Sequence, residues 1–275
     1  MLSSKLSWGS GDMRENTLLA ALRSRRQCIG VWLSLANAYT AESLAQLGFD
    51  YACIDLQHGL LDYQDLTYML PAISTSNTVP LVRVPWNEPY EIMKALDAGA
   101  YGVIVPLVNT AEDASRAVAA CRYPPAGNRS FGPIRAALYG GAGYAAQANA
   151  QIGCFAMIET EEGLANVEAI AATPGLDGIY VGPSDLALAL GLAPTGDTQE
   201  SIHLEALARI QEGARRANIS VGIHTSSLDY CRRRLDAGFS FATLGSDAGF
   251  MVRTAAQELA AVRGGGHEER EKTGY

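Results

Sequence analysis

Eight short apolar runs, separated by segments of helical spacing, constrain this chain more than any other feature. The runs are Cys28–Leu33, Tyr51–Leu56, Val79–Val84, Gly102–Val105, Cys154–Glu159, Gly178–Val181, Ser220–His224 and Phe241–Gly245. Between them, apolar residues recur at helical intervals, as in Ala41-Leu44-Ala45, Leu66-Met69-Leu70-Ile73, Ile92-Ala95-Leu96 and Ala114-Val118-Cys121. Strand then helix, repeated eight times at roughly 25-residue intervals, is the arithmetic of a single-domain (β/α)₈ TIM barrel of the α/β class. A doubly wound open sheet is the runner-up, but no Gly-x-Gly-x-x-Gly turn follows the first strand to support it.

No linker rich in Ser, Pro or Gly divides the 275 residues, so the barrel is expected to span 14–263. Residues 1–13 are expected to be flexible, and the stretch 264–275, which opens on three glycines and continues in a charged run, a disordered tail. With 48% apolar and 18% charged residues the composition is that of a soluble globular protein. A net charge of -8 argues against nucleic acid or an anionic membrane as partner. No signal-like or membrane-spanning run is present, and a cytoplasmic location is expected. The five scattered cysteines, Cys28, Cys53, Cys121, Cys154 and Cys231, suit reduced buried thiols better than disulfides or a zinc site. One Pro/Gly/Ala-rich excursion, 122–150, breaks the regular spacing and is expected to lie over the barrel mouth. Its Arg129 and Arg135 read equally as surface charges or as contacts to an anionic substrate.

The strands end on polar residues. Glu159 closes the fifth and Asp185 follows the sixth, and neighbouring strands of a barrel carry their reacting groups at one face. Two carboxylates about 4 Å apart repel by roughly 4 kcal/mol at an effective dielectric near 20. A divalent cation held by oxygen ligands would offset that, as would a shared proton on a carboxyl of raised pKa. Asp55 lies three residues before His58, spacing that allows a carboxylate to orient an imidazole base or that merely forms a turn. Arg83 and His224 end the third and seventh strands. Glu161 and Glu162 begin a helix, where acidic residues suit the macrodipole, and are read as structural. Ser184 is either an N-cap or part of a turn whose backbone N–H groups hold a carboxylate. The turn 245–249 sits where many barrels bind phosphate, although Asp247 counts against it.

These residues carry a resemblance. Asp55-Leu56-Gln57-His58-Gly59, Pro80-Leu81-Val82-Arg83-Val84-Pro85, Met157-Ile158-Glu159-Thr160 and Val181-Gly182-Pro183-Ser184-Asp185-Leu186 look like the HpcH/HpaI aldolase family, in order from about Gly30 to Arg263. The resemblance implies a metal-dependent class II aldolase, related to citrate-lyase β-type and phosphoenolpyruvate/pyruvate-binding barrels. Such enzymes cleave 4-hydroxy-2-oxo acids, of the 4-hydroxy-2-oxoheptanedioate or 2-dehydro-3-deoxy-aldarate type, to pyruvate and an aldehyde through an enolate that the metal stabilises. It implies Glu159 and Asp185 as ligands of Mg²⁺, Mn²⁺ or Co²⁺, His58 as base with Asp55 orienting it, and Arg83 on the 2-oxo oxygen. By the same match Gly182, Pro183 and Ser184 receive the pyruvate carboxylate, and Asp97 reaches a neighbouring subunit's site in a homo-oligomer, a hexamer. Two positions depart from well-known members. Met157 stands where some have Gln, and His224 where they have a nonpolar residue; both are expected to line the mouth and contact substrate.

The expectation is therefore a carbon–carbon lyase that releases pyruvate. An oxaloacetate-type decarboxylase on the same site, a phosphate-binding isomerase, a glycosidase using Glu159 and Asp185, and a non-catalytic barrel that binds 2-oxo acids are the rivals.

Overall fold

The computed structural model describes residues 12–264. The expected flexible start and disordered tail therefore lie outside the described residues, except for Asp12, Met13 and Gly264; Met13 is buried. Eight parallel strands close into a barrel in sequence order. They are β1 (Cys28–Leu33), β2 (Tyr51–Asp55), β3 (Val79–Arg83), β4 (Gly102–Val105), β5 (Gly153–Ile158), β6 (Gly178–Val181), β7 (Ser220–His224) and β8 (Phe241–Ser246). β1 closes on β8 with Cys28 opposite Phe241, and the register shifts between Gly30 and Trp32.

Side chains alternate across each strand, so every second residue enters the barrel. The floor is aromatic: Phe241 meets Tyr51, Phe155 and Tyr180 at centroid distances of 5.9, 5.3 and 5.6 Å. Each buried ring of this kind contributes about 1.5–3 kcal/mol. Glycines on neighbouring strands make the room. A Cβ on Gly30 would lie 2.2 Å from the Tyr51 ring, and one on Gly222 2.3 Å from that of Phe241. The Tyr51 and Tyr180 hydroxyls meet Thr243 Oγ1 at 3.1 and 2.6 Å, which satisfies polar atoms that burial would otherwise penalise.

The excursion 122–150 is placed differently from the expectation. It follows the helix Ala111–Cys121, which runs back from the mouth, so it emerges at the opposite, N-terminal end of the barrel. There it forms two helices, Ile134–Gly140 and Tyr144–Gln151. Arg14 donates its backbone N–H to Gly140 O at 2.7 Å. Arg135 bonds Ala98 O and Ser74 Oγ at 2.9 and 2.6 Å, and Arg129 bonds Asp97 Oδ1 at 2.6 Å. Both arginines thus hold helix ends at the base and neither reaches this chain's own mouth.

The last helix, Asp247–Val262, is buried or half-buried through its first turn, and past that turn every residue but Ala260 is exposed. Beyond it Val252, Leu259 and Val262 are exposed, and Ile29 on the outer face of β1 stays 39% exposed. Among the described residues no helix is long and apolar enough to cross a membrane.

Candidate active site

The sequence-predicted strand-end residues converge at the C-terminal mouth, with one rearrangement of roles. Asp55, at the end of β2, does not spend its carboxylate on the His58 ring. Its Oδ1 accepts from Arg83 Nε at 2.8 Å and from the backbone N–H groups of Gln57 and His58 at 3.1 and 3.3 Å. Its Oδ2 accepts from Arg83 Nη2 at 2.6 Å and Trp32 Nε1 at 3.0 Å. Five donors exceed the four lone-pair sites of a carboxylate, so the expected Asp55–imidazole contact gives way to a bidentate Asp55–Arg83 pair. Burial alone would raise the Asp55 pKa; the bonds from Arg83 and Trp32 outweigh it and hold the carboxyl below its ordinary range. His58 stands exposed in the turn above, with its backbone N–H held by Asp55.

Arg83 lies 5% exposed, with its guanidinium 5.0 Å from the Trp32 ring centroid. Only two of its five N–H groups are used by hydrogen bonds among the described residues. Trp32 was not singled out by the sequence. An indole inside an apolar strand reads as core, and the one available signal was its N–H, which a buried site has to satisfy.

Glu159 follows β5 and is 3% exposed. Its Oε1 accepts from the backbone N–H of Leu107 at 2.9 Å. Leu107 adopts φ 54°, a left-handed conformation that costs about 1–2 kcal/mol for a residue with a Cβ and that aims this amide. Across the barrel wall Glu159 lies against Gly182, where an added Cβ would sit 2.4 Å from Oε2. Burial pushes the Glu159 carboxyl up to about 7; the Leu107 amide works against that, and the negative charge of Asp185 adds to it. Asp185 sits, partly accessible, in the first turn of the helix Pro183–Ala189. The pair fits a hard divalent cation: two carboxylates, oxygen donors only, one of them desolvated and short of positive charge. Among the described residues no group of three or more His, Cys, Asp or Glu side chains is placed to hold a metal. A cation at Glu159 and Asp185 would keep most of its coordination positions for substrate and water.

Gly182, not Ser184, is the N-cap of the helix Pro183–Ala189, and no side chain caps it. Proline has no N–H, so the amides of Ser184 and Asp185 are the donors left over in this turn. Glu161 and Glu162 are exposed in the first turn of a helix capped by Thr160, as expected of structural residues. Met157 enters the barrel one interior position below Glu159 and is 1% exposed, so it packs the floor and does not line the mouth as expected. His224 does line it. Its ring and that of Trp32 meet edge to face with centroids 4.8 Å apart, and the residue is half-buried. Asp97 ends the helix Pro89–Asp97 at the base, paired with Arg129, and lies outside its own chain's mouth.

The turn after β8 is filled from within. Asp247 accepts from Ser34 N and Oγ at 3.0 and 2.8 Å, from Leu35 N at 3.1 Å and from Ala248 N at 2.7 Å. Its carboxylate occupies the donors a phosphate would need, which removes the physical basis of the phosphate reading.

The family model described as HpcH/HpaI aldolase/citrate lyase matches residues 28–254. A hydroxypyruvate/pyruvate aldolase of Rhizorhabdus wittichii is 43% identical over 238 residues, 86% of this chain and 95% of that protein. A 5-keto-4-deoxy-D-glucarate aldolase of Citrobacter koseri is 41% identical, over 91% of this chain and 97% of its own. Among solved structures, an HpcH/HpaI aldolase/citrate lyase family protein from Burkholderia cenocepacia J2315 superposes with a TM-score of 0.85 at 36% identity, covering 90% of this chain and 99% of that one. Matches of this extent, on a closed eight-stranded barrel with carboxylates and an arginine at its mouth, make the chain a member of the HpcH/HpaI aldolase/citrate lyase family and an aldolase-type lyase.

Proposed function

We propose that this protein is a divalent-metal-dependent class II aldolase that cleaves a 4-hydroxy-2-oxo acid to a 2-oxo acid of the pyruvate type and an aldehyde. The observation that carries this reading is the meeting of the desolvated Glu159, Asp185 and the Asp55–Arg83 pair at one mouth. When bound, the cation supplies positive charge to the 2-oxo group. Arg83, fixed by Asp55, donates its remaining N–H groups to the 2-oxo oxygen and stabilises the negative charge that develops there. The amides of Ser184 and Asp185 hold the carboxylate. His58 moves the protons. In the synthetic direction it takes one from C3 of the donor, C3 bonds to the aldehyde carbon, and the aldehyde oxygen takes a proton; cleavage reverses these events. An oxaloacetate-type decarboxylase would use the same groups, with CO₂ in place of the aldehyde.

We read the working form as a homo-oligomer, a hexamer, in which Asp97 approaches the mouth of another copy. The uncovered apolar residues of the helix Asp247–Val262 support assembly.

The test is proton exchange. Pyruvate incubated with the Mg²⁺- or Mn²⁺-loaded protein in D₂O should lose its methyl signal by NMR, and EDTA should stop the loss. Exchange indifferent to EDTA, or absent with metal present, overturns the reading. Coupled pyruvate detection on 4-hydroxy-2-oxo acids then separates aldol cleavage from decarboxylation.

A further inference from the structure

The loops that leave β8, β1 and β2, neighbours around the mouth, are tied together by one buried carboxylate. Asp247, 4% exposed at the start of the last helix, accepts on Oδ1 from Ser34 N, Ser34 Oγ and Ala248 N at 3.0, 2.8 and 2.7 Å, and on Oδ2 from Leu35 N at 3.1 Å. The Ser34–Leu35 peptide passes this constraint on. Its other end, Ser34 O, accepts the backbone N–H of Leu60 at 2.9 Å, beside the isolated parallel bridge that joins Leu35 to Leu60. Leu60 closes the turn that carries His58.

A trans peptide is planar, with its C=O and N–H pointing opposite ways, so a bond at the N–H sets the direction of the C=O. The same bond polarises the carbonyl and strengthens what it accepts. The turn 56–60 is thereby held at both ends. Asp55 holds the near end, with the N–H groups of Gln57 and His58 on Oδ1 at 3.1 and 3.3 Å and that of Gly59 on its backbone O at 3.1 Å. Ser34 O holds the far end. Asp55 is itself fixed by Arg83 from β3, and Ser34 by Asp247 from the β8 side. We propose that Asp247 is a positioning residue for proton transfer, which acts through the Ser34–Leu35 peptide to set the His58 turn over the substrate. The proposal rests on the aldolase reading above, with His58 as its base. Misplacing a reacting group by about 1 Å costs on the order of 10²-fold in rate, so the relay is felt in turnover. Arg83, Glu159 and Asp185 stand on or after β3, β5 and β6, outside the relay, and hold metal and substrate without it.

The experiment follows exchange of the pyruvate methyl protons in D₂O by NMR with Mg²⁺, and counts metal sites by Mn²⁺ calorimetry. Asp247→Asn keeps an oxygen for Ser34 and Ala248 but turns an NH₂ group toward the Leu35 N–H, donor against donor. Leu60→Pro removes the N–H at the other end of the relay, from a residue that is 81% exposed. In each variant kcat per metal site should fall by roughly tenfold or more, while KM for pyruvate and the metal affinity stay within about twofold. A variant that merely folds less well loses sites, not turnover per site. Asp247→Asn added to His58→Ala should change the residual exchange by less than about twofold, because the base it positions is gone. Unchanged turnover per site in either folded variant, or a further fall of the full size in the His58→Ala background, overturns the role of Asp247 and leaves the aldolase reading standing. Absence of exchange by the unmodified protein overturns that reading, and this proposal with it.

Discussion

Asp55 and Arg83 face each other from adjacent strands with two parallel bonds, Nε to Oδ1 at 2.8 Å and Nη2 to Oδ2 at 2.6 Å, and both are nearly sealed from solvent at 2% and 5% exposure. A carboxylate and a guanidinium matched in this way fix the plane of the arginine, and with it the direction of the N–H groups left for substrate. The pair is therefore as much an aiming device as a stabilising one.

Arg83→Lys should expose that function. An ammonium keeps the charge but cannot form the two-pronged bond, so kcat/KM should fall by at least about tenfold, the equivalent of 1.4 kcal/mol. Asp55→Ala should go further and leave a buried guanidinium without its partner, at a cost of about 3–5 kcal/mol in stability by denaturant titration. Unchanged kinetics in Arg83→Lys would remove the arginine from the site, whereas unchanged stability in Asp55→Ala would mean that water reaches the guanidinium.

Glu159 predicts a pH dependence of the metal-free protein. Its folded pKa is raised, from an ordinary 4.5 to about 7, so the folded state binds the proton more tightly than the unfolded one. The sign follows: the contribution to stability is full below about pH 4.5 and is lost as pH rises through about 7, on the order of 3 kcal/mol in all. In EDTA the stability of the unmodified protein relative to Glu159→Gln should therefore fall between pH 5 and 8, and saturating Mg²⁺ should restore it at the upper end. A difference flat across that window would show that Glu159 is solvated.

Much of this site was legible because its chemistry sits in side-chain types at strand ends. Glu159, Asp185, Arg83 and Asp55 interrupt apolar runs at a period that a barrel turns into a shared face. What stayed hidden was of other kinds. Trp32 belongs to a strand that any core would have, and its N–H bond to Asp55 depends on a cross-strand neighbour that spacing does not reveal. Leu107 acts through a backbone amide, which no residue type encodes. Asp55 offered a local partner in His58, but a guanidinium on the next strand, reached through the register that sets Asp55 opposite Arg83, competes better for both oxygens. The excursion 122–150 announced its length but not its side. Its place after a helix, and before a strand, put it at the base.

The helix Asp247–Val262 supplies the last prediction. Val252, Ala255, Leu259 and Val262 fall at intervals of three, four and three residues and so share one face. All four are exposed, with Val252 at 62%, Leu259 at 50% and Val262 at 85%. A helix that leaves its apolar stripe in water, while Ile29 on the outer face of β1 also stays partly open, has given up the burial from which most helices in proteins draw their stability. A second copy of the chain would return it. Burying three such side chains is worth roughly 1.5–3 kcal/mol each before the cost of association. Val252→Glu with Leu259→Glu should therefore shift the particle to a smaller assembly by light scattering and lower its Tm, with the barrel still folded by circular dichroism. An unmodified protein that is monomeric at working concentration would end the assembly reading, and with it any role for Asp97 at another copy's mouth.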